Sequence, residues 1–577
     1  AGSIIDTGDS SLTLSNPLNI NAGSIASTGG TLSFAGGLTL GAEGALDVTG
    51  STLSVSETLD LNAGTFTSSN TSILRLQSAT TLSSSNPVSF SSVNFEGSVL
   101  TLGSATTQLN LTDANTALSL SGIALETGPG SLTLSGALTM SGNSKLNSSG
   151  GTITLGSGGS ASSGTEISLP DTTLVLQDAL SLTGTTLKTK NTTFTTNSKA
   201  LTLSGSNLYI EGTQDLSGVV PDSTSILGLT GDATLNDSSA LSVYSLELEN
   251  FALTLDDAMA GLTVVQPVTL DAATEQIISG DADLSLSGGI SVTAGTLSSS
   301  GGTLSLPSGA TFVSGSTFTT SDTTIHLGGS LAVADTWTST DTSVLLTGNT
   351  SLSSTAPASL ATLTTNGYNF ELDSETAELT IQDAFALTSS EVLTTNGADL
   401  IFESSADISS EATLDASGGG KLEFQQGGTD NGTINARNAT FKIGSAYAVP
   451  GTLRTNGSIP WDLASNLDLS GGTLELGGNV VLDKVLTDNG TTFKLGEDTT
   501  VTRNTGFTIG DLEFESYTLT LGSDTTDLTL DIGHSSDNGT GSGSSDNGTD
   551  SGSPSGTLAT VLADLTFTGG FADLPAG

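Results

Sequence analysis

The sequence predicts an all-β fold, a parallel β-solenoid with three short strands in each coil of roughly 20–30 residues. Three observations favour this class. One unit recurs along the chain, apolar and polar residues alternate over short stretches, and turn residues fill the intervals. Because a single repeat cannot bury its apolar face alone, the copies are expected to stack around one continuous core.

The repeated unit is clearest at Ser131–Leu155, which reads SLTLSGALTMSGNSKLNSSGGTITL. It returns at Asp283–Leu306 and at Ser11–Phe34, and each copy has 24 or 25 residues. Each contains a Leu-x-Leu strand, a small polar turn, a second short strand, a Gly-Gly corner and a third strand opening with Thr-Leu or Thr-Ile. At roughly 24 residues per coil, the chain is predicted to form about two dozen coils.

The alternation has period two over three to five residues, as in Leu38-Thr39-Leu40 and Leu174-Val175-Leu176. This period is typical of a strand with one buried face and one wet face. Leu-x-Thr-Asn-Gly recurs at Leu363–Gly367, Leu393–Gly397 and Leu453–Gly457, and Asn-Gly readily adopts the positive φ of a corner. The rival architecture, an array of antiparallel sandwich domains, usually carries longer strands.

The charge balance is strongly acidic, because 59 acidic and 12 basic residues give a formal net charge of −47. Such a surface repels the phosphates of nucleic acid, so no nucleic-acid partner is predicted. It also repels anionic lipid and anionic polysaccharide unless cations intervene. The charge is interpreted as a solubility device for an extracellular or salt-rich setting, and the alternative is divalent-cation binding by loop aspartates.

The chain has no cysteine, so a secreted protein of this sequence would take its stability from the fold alone. No window of about 18 apolar residues occurs, and no transmembrane segment is predicted. The sequence begins at Ala1. We interpret this start as a mature product whose signal peptide has been removed, although a trimmed expression product would look the same.

One segment interrupts the repeats. Ser535–Gly556 reads SSDNGTGSGSSDNGTDSGSPSG and has no apolar residue to anchor it, which predicts a flexible loop or linker. The predicted organisation is therefore a solenoid over residues 1–534, a linker over 535–556 and a terminal strand, coil or cap over 557–577.

Two motifs resemble the passenger repeats of bacterial autotransporters and related cell-surface adhesins. They are Gly-Gly-Thr-Leu-x-Leu at Gly301–Leu306 and Gly471–Leu476, and Leu-x-Leu-Ser-Gly at Leu132–Gly136 and Leu284–Gly288. The resemblance covers most of the chain loosely. It implies a right-handed β-helical stalk that is exported to the surface of a bacterial cell.

Groups suited to catalysis are scarce. His326 and His534 have no distinctive neighbours, so no Ser-His-Asp arrangement can be defined. Carboxylates cluster at three places: Asp256 and Asp257, Asp281 and Asp283, and Glu371, Asp373 and Glu375. These places lack the Lys, Arg or aromatic residues that usually hold a sugar. We predict no enzymatic activity, and the alternative is a polysaccharide-binding or polysaccharide-degrading β-helix that uses the Asp281/Asp283 pair.

The candidate metal ligands are Asp537, Asp546 and Asp550, which lie close together in the predicted linker with Asn and Thr beside them. Oxygen ligands of this kind suit calcium. The spacing is not that of an EF-hand loop, and the nonapeptide of calcium-binding β-rolls is not repeated. Calcium is therefore the one cofactor considered, and a solvated linker is the alternative.

The basic residues are unevenly distributed, since seven of the twelve fall between Lys421 and Arg503. We call residues 421–503 the basic stretch. Against so acidic a chain, it is predicted to contact an acidic face of another copy through Lys421, Arg437, Lys442 and Arg454. Such a heterologous contact would give head-to-tail or side-by-side association.

The sequence thus predicts a secreted, non-enzymatic structural or adhesive protein, either a cell-surface stalk or a self-assembling filament subunit. The expected partners are further copies of itself or glycans of the cell surface and matrix. Outward threonine ladders also resemble those of ice-binding β-solenoids. A flat ice face needs strict Thr-x-Thr in successive coils, however, and the coils vary too much along the chain to predict one.

Overall fold

The computed structural model describes residues 3–104, 106–456, 461–513, 517–521, 527–531 and 564–568. These residues contain no helix, and strands account for 57% of the structure. The chain divides into two compact units, unit 1 (Ala1–Gly288) and unit 2 (Gly289–Gly577). The strand content confirms the all-β prediction.

Unit 1 contains strands β1 to β35. In chain order they are Ile4–Asp6, Leu12–Leu14, Leu18–Ala26, Thr31–Phe34, Leu38–Asp47, Thr52–Asp60, Thr65–Thr67, Ile73–Ser83, Val88–Phe90, Ser92–Asn94, Leu100–Leu102, Gln108–Leu111, Leu118–Ser121, Ala124–Gly128, Ser131–Leu134, Leu138–Ser141, Lys145–Ser148, Thr152–Leu155, Gly159–Ala161, Glu166–Pro170, Thr173–Leu176, Leu180–Thr183, Thr186–Lys190, Thr193–Thr195, Leu201–Ser204, Asn207–Asp215, Val219–Pro221, Ile226–Asn236, Leu241–Val243, Ser245–Glu247, Ala252–Leu255, Gly261–Val264, Val268–Leu270, Gln276–Ile278 and Asp283–Leu286.

Unit 2 contains strands β36 to β67. In chain order they are Ile290–Val292, Thr296–Ser300, Thr303–Leu306, Ala310–Phe312, Thr317–Ser321, Thr324–Val333, Trp337–Thr340, Ser343–Ser354, Ala358–Leu360, Thr362–Thr364, Phe370–Leu372, Glu378–Ile381, Phe385–Leu387, Val392–Thr394, Asp399–Phe402, Ala406–Ile408, Thr413–Asp415, Lys421–Phe424, Thr433–Asn435, Thr440–Ile443, Tyr447–Ala448, Thr452–Arg454, Asp462–Leu463, Leu467–Asp468, Thr473–Val481, Val485–Leu486, Thr492–Thr502, Phe507–Ile509, Asp511–Glu513, Leu519–Leu521, Asp527–Asp531 and Asp564–Thr568.

In both units the strands pair in parallel with their equivalents in neighbouring coils. In unit 1, Leu132 of β15 lies opposite Ile153 of β18, which lies opposite Leu174 of β21. In unit 2, Leu400 of β50 lies opposite Leu422 of β53. The coils number about 24 in total, which confirms the predicted parallel β-solenoid and excludes an antiparallel sandwich array.

The structural period is shorter than the repeat counted in the sequence. Because Leu132 pairs with Ile153, the coil at this place has 21 residues. The strand Thr152–Leu155, counted above as the third strand of the unit, is the first strand of the next coil. The third strand of the coil is Lys145–Ser148, which lies just before the Gly-Gly corner of the repeated unit.

Residues 118–215 of unit 1 form a segment of nearly constant coil length, which we call the regular segment. Its strands make three faces. The charged face consists of β14, β17, β20, β23 and β26. The threonine face consists of β15, β18, β21 and β24. The serine face consists of β13, β16, β19, β22 and β25. These three strands per coil agree with the prediction.

Elsewhere several strands are longer than the three to five residues that the alternation predicts. Strands β41 and β43 pair on both sides of a corner, and the register shifts between Leu327 and Gly329. This shift is a β-bulge, which lets the chain bend without ending the ladder. Gly329 has φ of 73°, a conformation that glycine adopts without steric cost. The hydrogen bonding therefore continues around corners that the sequence marked as breaks.

The core of the regular segment is a stack of aliphatic ladders. Under the threonine face, Leu132, Ile153 and Leu174 are at most 3% exposed. Burying a side chain of this size stabilises the fold by about 1.5–3 kcal/mol relative to leaving it exposed. One such ladder in every face explains how the chain holds together without disulfides.

Unit 2 adds an aromatic ladder to this plan. The ring centroids of Phe385 and Phe402 are 5.1 Å apart, and those of Phe402 and Phe424 are also 5.1 Å apart. Tyr447 extends the row, 4.5 Å from Phe424. All four rings are buried. Stacked aromatic pairs of this kind add about 0.5–1.5 kcal/mol each beyond their burial.

Candidate functional surfaces

The four predicted assembly residues all lie in ion pairs within unit 2. Lys421 contacts Glu378 at 3.6 Å and Glu423 at 3.4 Å. Lys442 donates to the other oxygen of Glu423 at 2.9 Å. Desolvation raises the pKa of Glu423, but the hydrogen bonds and positive charges of Lys442 and Lys421 together outweigh it, so the pKa is lowered. The amines of this group are therefore already paired with carboxylates of the same chain.

Arg437 and Arg454 share a single partner. Arg454 Nε lies 3.0 Å from Glu475 Oε2, and Arg437 contacts Glu475 Oε1. The Glu475 side chain is only 12% exposed. The two arginines come from different coils, so Glu475 ties neighbouring coils together.

The pair of Arg454 and Glu475 belongs to a ladder of alternating charge. Arg454, Glu475, Lys494 and Glu513 occupy the same position in four successive coils. Opposite charges at neighbouring positions attract, whereas like charges directly opposite repel. The ladder therefore favours this register over slipped ones.

Unit 1 has a shorter ladder of alternating charge on its charged face. Glu166 lies between Lys188 at 2.9 Å and Lys145 at 3.6 Å. The hydrogen bond from Lys188 lowers the pKa of Glu166, against the opposing effect of desolvation. On the next coils, Lys190 pairs with Glu211 at 2.5 Å. In all, ten of the twelve basic residues form ion pairs within the described part of the chain.

The carboxylates that cluster in the sequence accept hydrogen bonds at the corners between strands. Asp256 accepts from the backbone N–H of Ala258 at 3.0 Å, and Asp257 accepts from that of Asp281 at 3.5 Å. Glu371 accepts from the Asn396 side-chain amide at 2.6 Å. These contacts are the Asx-turn and cross-coil hydrogen bonds expected at the corners of a stack.

Two buried glutamates were missed in the sequence, and both join one coil to the next. Glu391 accepts from Thr388 N at 2.7 Å in its own coil and from Gly367 N in the preceding coil. Glu275 likewise accepts from Asp271 N at 2.7 Å in its own coil and from Asn250 N at 3.2 Å in the preceding coil. A glutamate three or four residues after the start of a polar corner is the only sequence signal of this role.

A third buried carboxylate lies next to the aromatic ladder. Asp430 is 0% exposed, its Oδ1 accepts from Gly432 N at 2.8 Å, and its Oδ2 has no hydrogen-bond partner among the described residues. Burial raises the pKa of Asp430 to about 7, despite the lowering effect of the Gly432 hydrogen bond. Asp407 and Tyr447 are the titratable groups near this site.

A surface concavity lies in unit 2. It is an open groove of about 560 Å³, lined by Ser316, Thr317, Ala334, Asp335, Thr336, Thr338, Thr355 and Ala356. The Asp335 carboxylate accepts from Ser314 Oγ at 3.1 Å and from Gly315 N at 2.5 Å. The groove thus presents hydroxyl groups around one oriented carboxylate.

The described residues contain no group of three or more His, Cys, Asp or Glu side chains arranged to hold a metal ion. The calcium candidates Asp537, Asp546 and Asp550 lie outside the described residues, as does His534. In the part of the chain that the structure covers, no helix is long and apolar enough to cross a membrane.

Comparison with known proteins gave no match to any family, to any curated protein or to any solved structure. The β-solenoid class therefore stands on the strand pairing itself.

Proposed function

We propose that the chain is a non-enzymatic extracellular structural or adhesive protein, a bacterial cell-surface stalk or a self-assembling filament subunit. The observation that supports this is how its polar groups are used. The charged and buried polar side chains described above join one coil to the next, instead of converging on a reacting centre. Glu475 and Glu391 are the clearest cases, since each bonds residues of two coils.

Self-association is the main mechanism proposed. The described structure leaves many more carboxylates than amines unpaired, so a contact between copies needs either basic groups or bridging cations. Lys421, Arg437, Lys442 and Arg454 remain 27–43% exposed beside their internal partners. Each can therefore bind a second carboxylate from another copy.

The test is electron microscopy of the purified full chain with and without millimolar calcium. Long uniform fibres would support a filament subunit, and isolated rods would support a stalk. Compact particles in both conditions would contradict the proposal.

Charge reversal of the four basic residues is expected to weaken assembly. The matched control is Lys190→Glu, which breaks an internal pair with Glu211 but lies outside the basic stretch. Circular dichroism of both variants separates lost assembly from lost folding. Fibres that form equally well in the charge-reversed and control variants would rule out the basic stretch as the contact.

A second candidate is polysaccharide binding at the groove around Asp335. The observation that favours it is the ring of threonine and serine hydroxyls around an oriented carboxylate. Hydroxyl-rich grooves can exchange hydrogen bonds with the hydroxyl groups of a glycan. An Asp335→Ala variant should lose retention on a panel of immobilised neutral glycans, whereas Asp281→Ala should not. Equal retention of both variants would reject this site.

A further inference from the structure

One pentapeptide, Thr-Asp-Asn-Gly-Thr, occurs twice in the part of unit 2 that the structure covers. The two copies are residues 429–433 and residues 487–491. In the first copy the Gly432 N–H donates to Asp430 Oδ1 at 2.8 Å. In the second copy the Gly490 N–H donates to Asp488 Oδ1 at 2.9 Å. The asparagine is exposed in both copies, so any difference in their reactivity must come from the surroundings.

The pentapeptide brings a nucleophile, an electrophile and a base together. The backbone nitrogen of the residue after an asparagine can bond to the side-chain carbonyl carbon of that asparagine, which closes a five-membered imide ring. Glycine hinders this approach least, because it has no Cβ. The nitrogen must lose its proton, and a carboxylate within hydrogen-bond reach of that proton is placed to act as a general base. Asp430 Oδ1 lies within this reach of Gly432 N.

The two carboxylates differ in their strength as bases. Within the described residues, the Gly432 N–H is the only donor to the fully buried Asp430 carboxylate, and burial raises its pKa to about 7. Asp488 Oδ1 also accepts from Gly471 N and from Thr491 Oγ1, both at 3.1 Å. Desolvation raises the pKa of Asp488, but its hydrogen bonds outweigh this effect, so the pKa is lowered. A general base works best when its pKa is near the working pH, and this condition favours Asp430.

The fold holds the backbone of the first copy in place and leaves the asparagine side chain free. Asn431 N donates to Ile408 O of the preceding coil at 2.8 Å, and Asp430 O accepts from Gly451 N of the following coil at 2.9 Å. The side-chain amide of Asn431 forms no hydrogen bond to any described residue. At another Asn-Gly corner, the Asn396 amide is tied to the preceding coil. The base at Asn431 is therefore positioned in advance, while the electrophile can turn toward the nitrogen.

We propose that Asn431 is a self-modification site, at which Gly432 N attacks Asn431 Cγ with Asp430 as the general base. A bond forms between these two atoms, and the bond from Cγ to Nδ2 breaks. The proton of Gly432 passes through Asp430 to the departing nitrogen, which leaves as ammonia. Water then opens the imide at either carbonyl and gives aspartate or β-linked isoaspartate, with no oxidation or reduction. The inference is independent of the structural role proposed above.

The experiment is peptide mapping by mass spectrometry of the purified full chain, kept at neutral pH and sampled over time, both folded and in guanidinium chloride. In the folded chain, Asn431 should convert at least about tenfold faster than Asn489, since a positioned general base contributes about 10²–10⁴-fold. In denaturant the two copies have the same local sequence, so their rates should become equal. A rate at Asn431 no greater than that at Asn489 in the folded chain would overturn the proposal. This comparison does not depend on whether any variant folds.

Asp430→Asn removes the base and keeps an oxygen that can accept from the Gly432 N–H. It should slow the conversion of Asn431 in the folded chain by at least about tenfold. The matched control is Asp488→Asn, which makes the same change in the second copy and should leave the rate at Asn431 unaltered. Circular dichroism checks that both variants are folded. Conversion of Asn431 at the wild-type rate in folded Asp430→Asn would also overturn the proposal.

Discussion

The regular segment of unit 1 and the basic stretch of unit 2 share one backbone plan but use their outer surfaces differently. In the regular segment, the charges carried by strands are confined to one face, and the other two faces carry only neutral residues on their strands. In the basic stretch, outward positions carry ladders of alternating charge, such as Arg454, Glu475 and Lys494. Both units satisfy the backbone through parallel pairing. The outward side chains are therefore free to differ, and they decide what each region can bind.

The cores of the two regions differ as well. The regular segment is filled by leucine and isoleucine, whereas unit 2 contains the row of Phe385, Phe402, Phe424 and Tyr447. Larger rings concentrate more of the packing energy in fewer residues. Unit 2 should accordingly be more sensitive to single core substitutions.

The largest expected effect comes from Phe402→Ala, which removes the ring that contacts both Phe385 and Phe424. The cavity should cost about 3–5 kcal/mol of unit 2 stability. The measurement is denaturant unfolding combined with hydrogen exchange of amides in each unit. Phe402→Leu, which keeps most of the volume, should cost about 1 kcal/mol. A loss of less than about 1 kcal/mol for Phe402→Ala would show that the aromatic ladder contributes little packing energy.

The next largest effect is a pH dependence of the free energy of unfolding, which should differ between the two units. Because the pKa of Asp430 is raised to about 7 by burial, the folded state binds a proton that the unfolded state has already released above pH 4. Stability is therefore full below about pH 4 and falls as the pH rises to about 7, by roughly 4 kcal/mol in total. Asp430→Asn should remove this slope in exchange of the unit 2 amides. An unchanged slope would show that Asp430 stays ionised when folded.

Asp222 in unit 1 should respond with the opposite sign. Desolvation raises its pKa, but hydrogen bonds from Thr224 and Ser204 outweigh this effect, so the pKa is lowered. Its stabilising contribution is present above the unfolded pKa and is lost as the pH falls through acid values. Asp222→Asn should reduce the acid sensitivity of unit 1 amides and leave unit 2 unaffected. Greater acid sensitivity in the variant would contradict this assignment.

A smaller difference is expected between two bridging glutamates. Glu475→Gln leaves Arg437 and Arg454 near each other and should cost about 2–3 kcal/mol, because Glu475 is only 12% exposed. Glu166→Gln removes a more exposed bridge between lysines and should cost less than about 1 kcal/mol. High salt should diminish the second effect more strongly. Unfolding curves at low and high salt check both, and equal costs would remove the distinction.

The smallest effect should come from Lys199→Ala. Its contact with Asp178 spans 3.8 Å, and both side chains are about half exposed. An exposed pair of this kind contributes about 0–1 kcal/mol at most. A measured loss above that range would mean that Lys199 has a role that the geometry does not indicate.

Much of the candidate surface could be predicted only in part. Clustering of basic residues was visible in the sequence, but their pairing with Glu475 and Glu423 was not, since the partners come from other coils. The caps formed by Glu275 and Glu391 were missed for the same reason. Asp430 looked like any corner aspartate, and its burial depends on the coils on either side.

The sequence by itself determined the class of fold. Period-two alternation decides which residues face the core, and the repeats of Ser131–Leu155 imply a stack, because both are properties of local chain geometry. Only the tertiary structure decided the 21-residue register, the bulged corners such as Gly329, and the alignment of Thr133 with Thr154. Register depends on which strands lie side by side, and those strands are separated by a full coil of sequence. A shift by one residue would turn the threonine face into the core.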